Sequence, residues 1–214
     1  MNAARQEKFP PNEFMPVSVV RVVHYSSRAF RDALQIYQAE FPADSRLSLA
    51  KIRTLFKTSQ YQLFVSQRDQ EVLGFALVWV SHSPAFVHLD YIGVRHDQKG
   101  EGIGTALYRW LTTHLQELCP QASLLTLEVD DALIPFYRRS ETQVLHKTPY
   151  LFPGRFGPLP MHLMVYDRQH RKTLTRPFVQ SVIRALYRGL HQRPAGDPLL
   201  RSFLPRVPQS VRLV

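Results

Sequence analysis

The chain has 214 residues, 44% of them hydrophobic and 21% charged, which suits one sizeable core, and its longest apolar run (residues 72–80) falls well short of the ~20 residues a membrane-spanning helix needs. Lysine and arginine outnumber aspartate and glutamate by 27 to 17, yet the balance is 17 against 16 over residues 1–167 and 10 against 1 over residues 168–214. The body is therefore near neutral, and the excess that favours an anionic partner belongs to the C-terminal fifth.

Residues 1–16 hold charges and three prolines but no apolar stretch of the secretory type, so they read as a flexible leader and the location as cytoplasmic. The single cysteine, Cys119, precedes Pro120 at a predicted helix end; it rules out an internal disulfide, fits a reducing compartment and reads as structural.

"VSVVRVVHY" (17–25) predicts a strand, and Ser26 or Ser27 can cap a helix that runs to Pro42. "SLAKIRTLFKT" (48–58) predicts a second helix with Ser48 as its cap. Residues 61–67 and 71–82 alternate and are joined by a polar turn, so an antiparallel hairpin is expected, with another strand at 85–94. A helix to about Glu117 and the strand "SLLTLEVD" (123–130) follow. Strand, helix and strand in that order make the two strands parallel.

Between that first strand and its helix stands "HDQKGEGIGTALYRWL" (96–111), with three alternate glycines. One glycine usually suffices for a turn. Three at the amino end of a helix, where backbone N–H groups are bare and the dipole is positive, describe a place where an anion meets the main chain. The P-loop pattern fails for want of Lys-Ser/Thr after Gly104, and the G-x-G-x-x-G fingerprint fails in both frames, at Thr105 and at Leu107.

The stretch resembles the acetyl-CoA loop of the GCN5-related N-acetyltransferase (GNAT) superfamily, Gln/Arg-x-x-Gly-x-Gly/Ala after an apolar-x-Val strand end. Here "IGV" (92–94) is followed by Lys99-Gly100-Glu101-Gly102-Ile103-Gly104, Lys99 standing where the family has Gln or Arg. "LLTLEVDDALIPFYRRS" (124–140) is similar to the family's next strand and its helix with an FY pair, and Glu141-Thr142 replaces the frequent Gly-Phe. The resemblance implies an α/β fold over residues 17–168: a mixed, mostly antiparallel sheet with a central parallel strand pair flanked by helices. "TQVLHKTPYLF" (142–152) and "PMHLMVYDR" (160–168) would be its closing strands. It implies acetyl-CoA as co-substrate, held by Lys99, Gly100, Glu101, Gly102, Ile103, Gly104 and Thr105 and by the main chain of Ile92, Gly93 and Val94. It implies Tyr137 as general acid toward the CoA thiolate, and His88 or Asp90, on one face of the strand before the loop, as manager of the amine's proton. No third ligand accompanies His88 and Asp90 at a telling spacing, so no metal site is expected.

The acceptor is expected to be a small-molecule or protein amine, entering between the first two helices and "PYLFPGRFGPLP" (149–160). A fold that binds CoA or a partner without turnover is the alternative. Residues 169–214 read as a basic helix (176–190) with an apolar stripe, followed by a proline-broken tail that packs on the domain or extends from it as an irregular lash. A dimer arm, a membrane-surface helix and an RNA or acidic-protein contact are its other readings, with nucleic acid disfavoured because no aromatics interleave with the arginines.

Overall fold

The computed structural model of the protein describes residues 17–43 and 46–214; the leader expected at residues 1–16 lies outside them. β1 (Ser18–Val22), α1 (Arg28–Glu40) and α2 (Leu49–Phe56) are followed by β2 (Tyr61–Arg68), β3 (Glu71–His82) and β4 (Ala85–Val94). α3 (Ile103–Thr113) and α4 (Leu115–Leu118) lead to β5 (Leu124–Val129), α5 (Ile134–Arg138) and β6 (Gln143–Val144). A hairpin of β7 (Leu151–Gly154) and β8 (Gly157–Pro160) precedes β9 (His162–Asp167). β10 (Thr173–Thr175), α6 (Arg176–Ala185) with a π-helical turn at Leu186–Leu190, α7 (Pro198–Phe203) and β11 (Ser210–Arg212) complete the chain.

Local chemistry explains the boundaries. The Ser27 hydroxyl accepts from the Phe30 N–H at 3.1 Å and the Ser48 hydroxyl from the Lys51 N–H at 3.2 Å, satisfying donors that the helices cannot. Asp69 and Gln70 both have positive φ, 48° and 67°, the mirror-image turn that matches the twist of the β2–β3 hairpin.

Among the described residues seven strands form one sheet in the order β1-β2-β3-β4-β5-β9-β6, antiparallel throughout except for β4 beside β5. Helices cover both faces, so β3 is buried from Val72 to Ser81 without alternation. On one face α1, α2, α6 and α7 bury Phe30, Tyr37, Ile52, Ile183 and Phe203 against Leu63, Phe75, Leu77 and Trp79. On the other, α3 and α5 bury Leu107, Leu111 and Tyr137 against Phe64, Ala76, Val78 and Leu127.

Two sequence expectations are corrected. The first closing strand, expected over 142–152, is only Gln143–Val144; Lys147 turns the chain at φ 54°, and the residues beyond it pair with β8 instead. Pro149, Pro153, Pro158 and Pro160 cannot donate to a ladder, which keeps this stretch out of the main sheet. The tail is not an irregular lash: Leu200, Phe203, Leu204, Val207, Val211 and Leu213 are buried in the same core as α1 and α2, and Val214 exchanges two backbone hydrogen bonds with Val144. Each such side chain contributes about 1.5–3 kcal/mol of apolar burial.

The helix expected over 176–190 changes to a π turn at Leu186, and Gly189 there touches the indole of Trp79: a Cβ would stand 2.3 Å from its Cζ2. Gly189→Ala is therefore expected to lower stability by about 1–3 kcal/mol through overpacking, measured as a fall in the urea midpoint at unchanged slope.

Candidate active site

The turn between β4 and α3 takes its shape from its glycines. Gly100 and Gly102 have φ of 88° and 77°, and a Cβ on either would meet nothing within 4 Å, so the space above the turn is open. Gly102 is the N-cap of α3 and has no side chain with which to occupy the first-turn N–H groups, including those of Ile103, Gly104 and Thr105. Lys99 pairs with Glu40 at the end of α1, and Arg95 pairs with Asp97 at 2.6 Å and with Glu71, which fasten the turn on either side. Glu101 is exposed.

The strand feeding this turn departs from its neighbour. β4 and β5 share only three residue pairs, Val87↔Leu125, His88↔Thr126 and Leu89↔Leu127. Beyond them Ile92, Gly93 and Val94 still pair with β3, at Ala76, Phe75 and Gly74, but no longer with β5. Their backbone edge toward β5 is thus free of ladder partners among the described residues. At the point of departure the β3–β4 register shifts, with Leu77 opposite Tyr91 and Val78 opposite Leu89, leaving Asp90 as the extra residue of a bulge.

Around Asp90 lies a cluster of buried titratable groups. The Tyr61 hydroxyl donates to Asp90 Oδ2, yet burial outweighs this bond and lifts the carboxyl to about 7. On β5, Glu128 accepts from the Tyr150 hydroxyl, and its Oε1 lies 2.9 Å from His191 Nε2. Burial alone would raise Glu128, but the His191 imidazole and these hydrogen bonds hold it at about 2. The reciprocal effect raises His191 above an ordinary imidazole, against the burial that would lower it. Asp90, Tyr91 and His191 line a cavity of about 710 Å³ bounded by the start of α2 and the β7–β8 hairpin. Another cavity, about 780 Å³, lies between the β3–β4 turn and α6 and contains none of these groups.

His88 is on the same face of β4 but deeper. Only 1% of it is exposed, its Nδ1 is 2.9 Å from Thr126 Oγ1, and its buried Nε2, 3.8 Å from Glu128, has no hydrogen-bond partner among the described residues. Burial pushes it down to about 4, so the ordinary imidazole affinity expected from sequence is not present, and His88 is not part of the cavity wall. Tyr137 lies on the opposite face, packed edge-on against Tyr108 at 5.1 Å and Phe136 at 4.9 Å, with burial raising its phenol. Among the described residues no three His, Cys, Asp or Glu side chains converge as metal ligands. Cys119 is buried and contacts the Ser81 carbonyl at 3.8 Å.

The groups that sequence reasoning missed are Glu128, His191, Tyr150 and Tyr61. Glu128 shares a strand face with Leu124 and Thr126, and a lone acid on a core-facing row is a signal in itself. His191 carries no such signal, because its partner is 63 residues away.

Residues 29–140 match the model of the Acetyltransferase (GNAT) family. The chain is 30% identical over 111 residues to an uncharacterized protein of Dictyostelium discoideum; the match covers 51% of this chain and spans about a quarter of that relative's length (25%). Among solved structures, a putative acetyltransferase from GNAT family from Bacteroides thetaiotaomicron aligns with a TM-score of 0.69 at 16% identity, over 83% of this chain and 99% of the other. The ribosomal-protein-S18-alanine N-acetyltransferase from Escherichia coli gives 0.54 at 18% identity, over 71% and 94%. Arabidopsis thaliana NAA60 in complex with acetyl-CoA gives 0.55 at 15%, over 72% and 99%. At these identities the likeness is one of fold.

The Glu128 carboxyl is held below its usual 4.5, so the stability it contributes is fully present above that pH and is lost as pH falls toward about 2. Glu128→Gln is expected to be less stable at neutral pH, by about 1–3 kcal/mol for the partner groups left unpaired, and to lose less stability between pH 4.5 and 2 than the parent. Denaturant midpoints across that window measure both effects.

Proposed function

The chain belongs to the acetyltransferase (GNAT) family, and from that premise we propose that it transfers the acetyl group of acetyl-CoA to a primary amine by direct attack within a ternary complex. The observation that supports this reading is that an uncapped, glycine-opened α3 amino end follows a stretch of β4 with no β5 partner, and that half-buried Asp90, just before that stretch, lines a cavity together with His191.

The donor set suits an anionic, strand-like ligand. The turn is open above Gly100 and Gly102, and the first-turn amides of α3 beside it take a diphosphate, with the helix dipole behind them. The edge at Ile92, Gly93 and Val94 offers strand-type hydrogen bonds to an extended amide-bearing arm. Bound acetyl-CoA supplies an activated acetyl group and a thiolate leaving group.

The chain's own residues then manage protons. Most of an alkylamine is protonated at neutral pH, so attack needs a nearby acceptor. Asp90, lifted to about 7, lines the cavity and takes up a proton there. Glu128 accepts from His191 Nε2, which fixes the ring beside Asp90 and favours its protonated form. His88 sits behind this pair as a neutral, buried support. Tyr137, kept protonated by burial, is the proton donor to the departing thiolate.

Acetyl-CoA at a hundred times its Kd is expected to stabilise the protein by about 2.7 kcal/mol, read as a rise in Tm. Gly102→Val, which places a branched side chain in the open space at φ 77°, should abolish that rise. An unchanged rise in the variant would remove the α3 amino end from the binding site. Separately, Tyr137→Phe is expected to keep the acetyl-CoA-dependent rise in Tm while releasing thiol about a hundred-fold more slowly with an accepted amine; full turnover would show that another group protonates the thiolate.

A further inference from the structure

The cavity at Asp90 is lined by both signs of charge. Asp90 is bonded to Tyr61 and His191 to Glu128; Arg46 and Lys51 line the cavity from the start of α2 and the residues before it, and Arg155, which is exposed, lines its mouth from the β7–β8 hairpin. None of the ion pairs among the described residues engages any of these three cations. Among the described residues, the groups that hold each of them carry no charge. Arg46 Nη1 donates to the carbonyls of Gln38 and Phe41, the latter at 2.9 Å, which leaves its Nε and Nη2 hydrogens. Lys51 donates to the side-chain carbonyl of Gln192, and Arg155 lies 5.5 Å over the ring of Phe156.

Three cations lining one cavity repel one another, and a ligand anion that reaches them is favoured both by attraction and by relief of that repulsion. A ligand carrying a second positive charge there is disfavoured by the same field, which is a source of selectivity. The interior has the opposite demand: it receives an amine and takes its proton. Resting on the acetyl-transfer reading, we propose that the acceptor is a small primary amine whose far end carries an anionic group, with the amine at Asp90 and His191 and the anion at Arg46, Lys51 and Arg155. The volume of about 710 Å³ suits a small molecule, and Phe152 supplies an apolar wall for the carbon chain between the two ends.

The test compares matched chains in the presence of CoA: ω-amino acids of three to seven carbons, the corresponding alkylamines and α,ω-diamines, and aminoalkylphosphonates as a second anionic arm. Affinity is read by calorimetry and acetyl transfer by thiol release. The expected order is anionic amine tightest and diamine weakest, with the carboxylate and phosphonate arms showing which anion the mouth prefers. Lys51→Ala and Arg155→Ala should each weaken the anionic amines by about ten- to a hundred-fold, the value of a charge-assisted hydrogen bond, and leave the alkylamines and acetyl-CoA binding unchanged. If no anionic amine of either arm binds more tightly than its alkylamine and diamine counterparts, the proposal is overturned, whether or not those amines are acetylated. Loss of acetyl-CoA binding itself would instead overturn the transfer reading on which it rests.

Discussion

The structure depends on a sheet that comes apart at one place. β4 and β5 run together for three residues and then separate, because Asp90 is inserted as a bulge just where the ladder ends. The separation leaves a backbone edge at residues 92–94 without ladder partners among the described residues, between the bulge at Asp90 and the glycine turn. A fully laddered pair would satisfy those N–H and C=O groups internally and leave no place for an extended ligand. At the bulge Asp90 is bonded to Tyr61 of β2, and Tyr91 beyond it is fixed edge-on by Tyr37 at 4.9 Å and Phe41 at 5.1 Å.

The second constraint is electrostatic. Glu128 is a buried carboxylate on a strand face otherwise made of core residues, and an unpaired charge there costs several kcal/mol. Its partner comes from beyond the family-matched stretch, from a segment whose apolar stripe docks on the same core. The π turn at Leu186–Leu190 sets that segment's angle, burying Tyr187 and Leu190 and bringing His191 onto Glu128. The C-terminal fifth, basic by composition, thus contributes a core layer and the imidazole that meets Glu128. Part of its charge is also spent internally: Arg171 grips Asp167 through two nitrogens, at 2.7 and 2.9 Å, and Arg193 pairs with Asp197 at 2.7 Å.

How much of this was legible in the sequence follows from the range of each interaction. Helix caps at Ser27 and Ser48, the β2–β3 hairpin and the strand–glycine–helix unit are local patterns, and the structure places them as read. The bulge at Asp90 is not encoded within β4 itself; it depends on how β3 pairs across it, so sequence spacing put His88 and Asp90 on one face without distinguishing the buried imidazole from the cavity-lining acid. The short β6 was misread because Leu145 and Val144 look like strand interior, while their pairing partners, Leu213 and Val214, sit at the far end of the chain. His191 was unreadable for the same reason: nothing within a dozen residues of it announces a carboxylate on β5.

The two acids of the site illustrate how one environment sets opposite roles. Asp90 is half-buried and the Glu128 side chain buried, and both accept a tyrosine hydroxyl, Asp90 from Tyr61 and Glu128 from Tyr150. Only Glu128 has an imidazole in contact, and it stays ionised down to about 2, whereas Asp90 is lifted to about 7. A carboxylate that never gives up its charge is suited to orienting a neighbour, and a carboxyl poised near neutrality is suited to exchanging a proton. His191 at 2.9 Å, with His88 and the Tyr150 hydroxyl adding to its effect, holds Glu128 down, so the segment that brings His191 to the sheet helps to set which of the two acids keeps its charge.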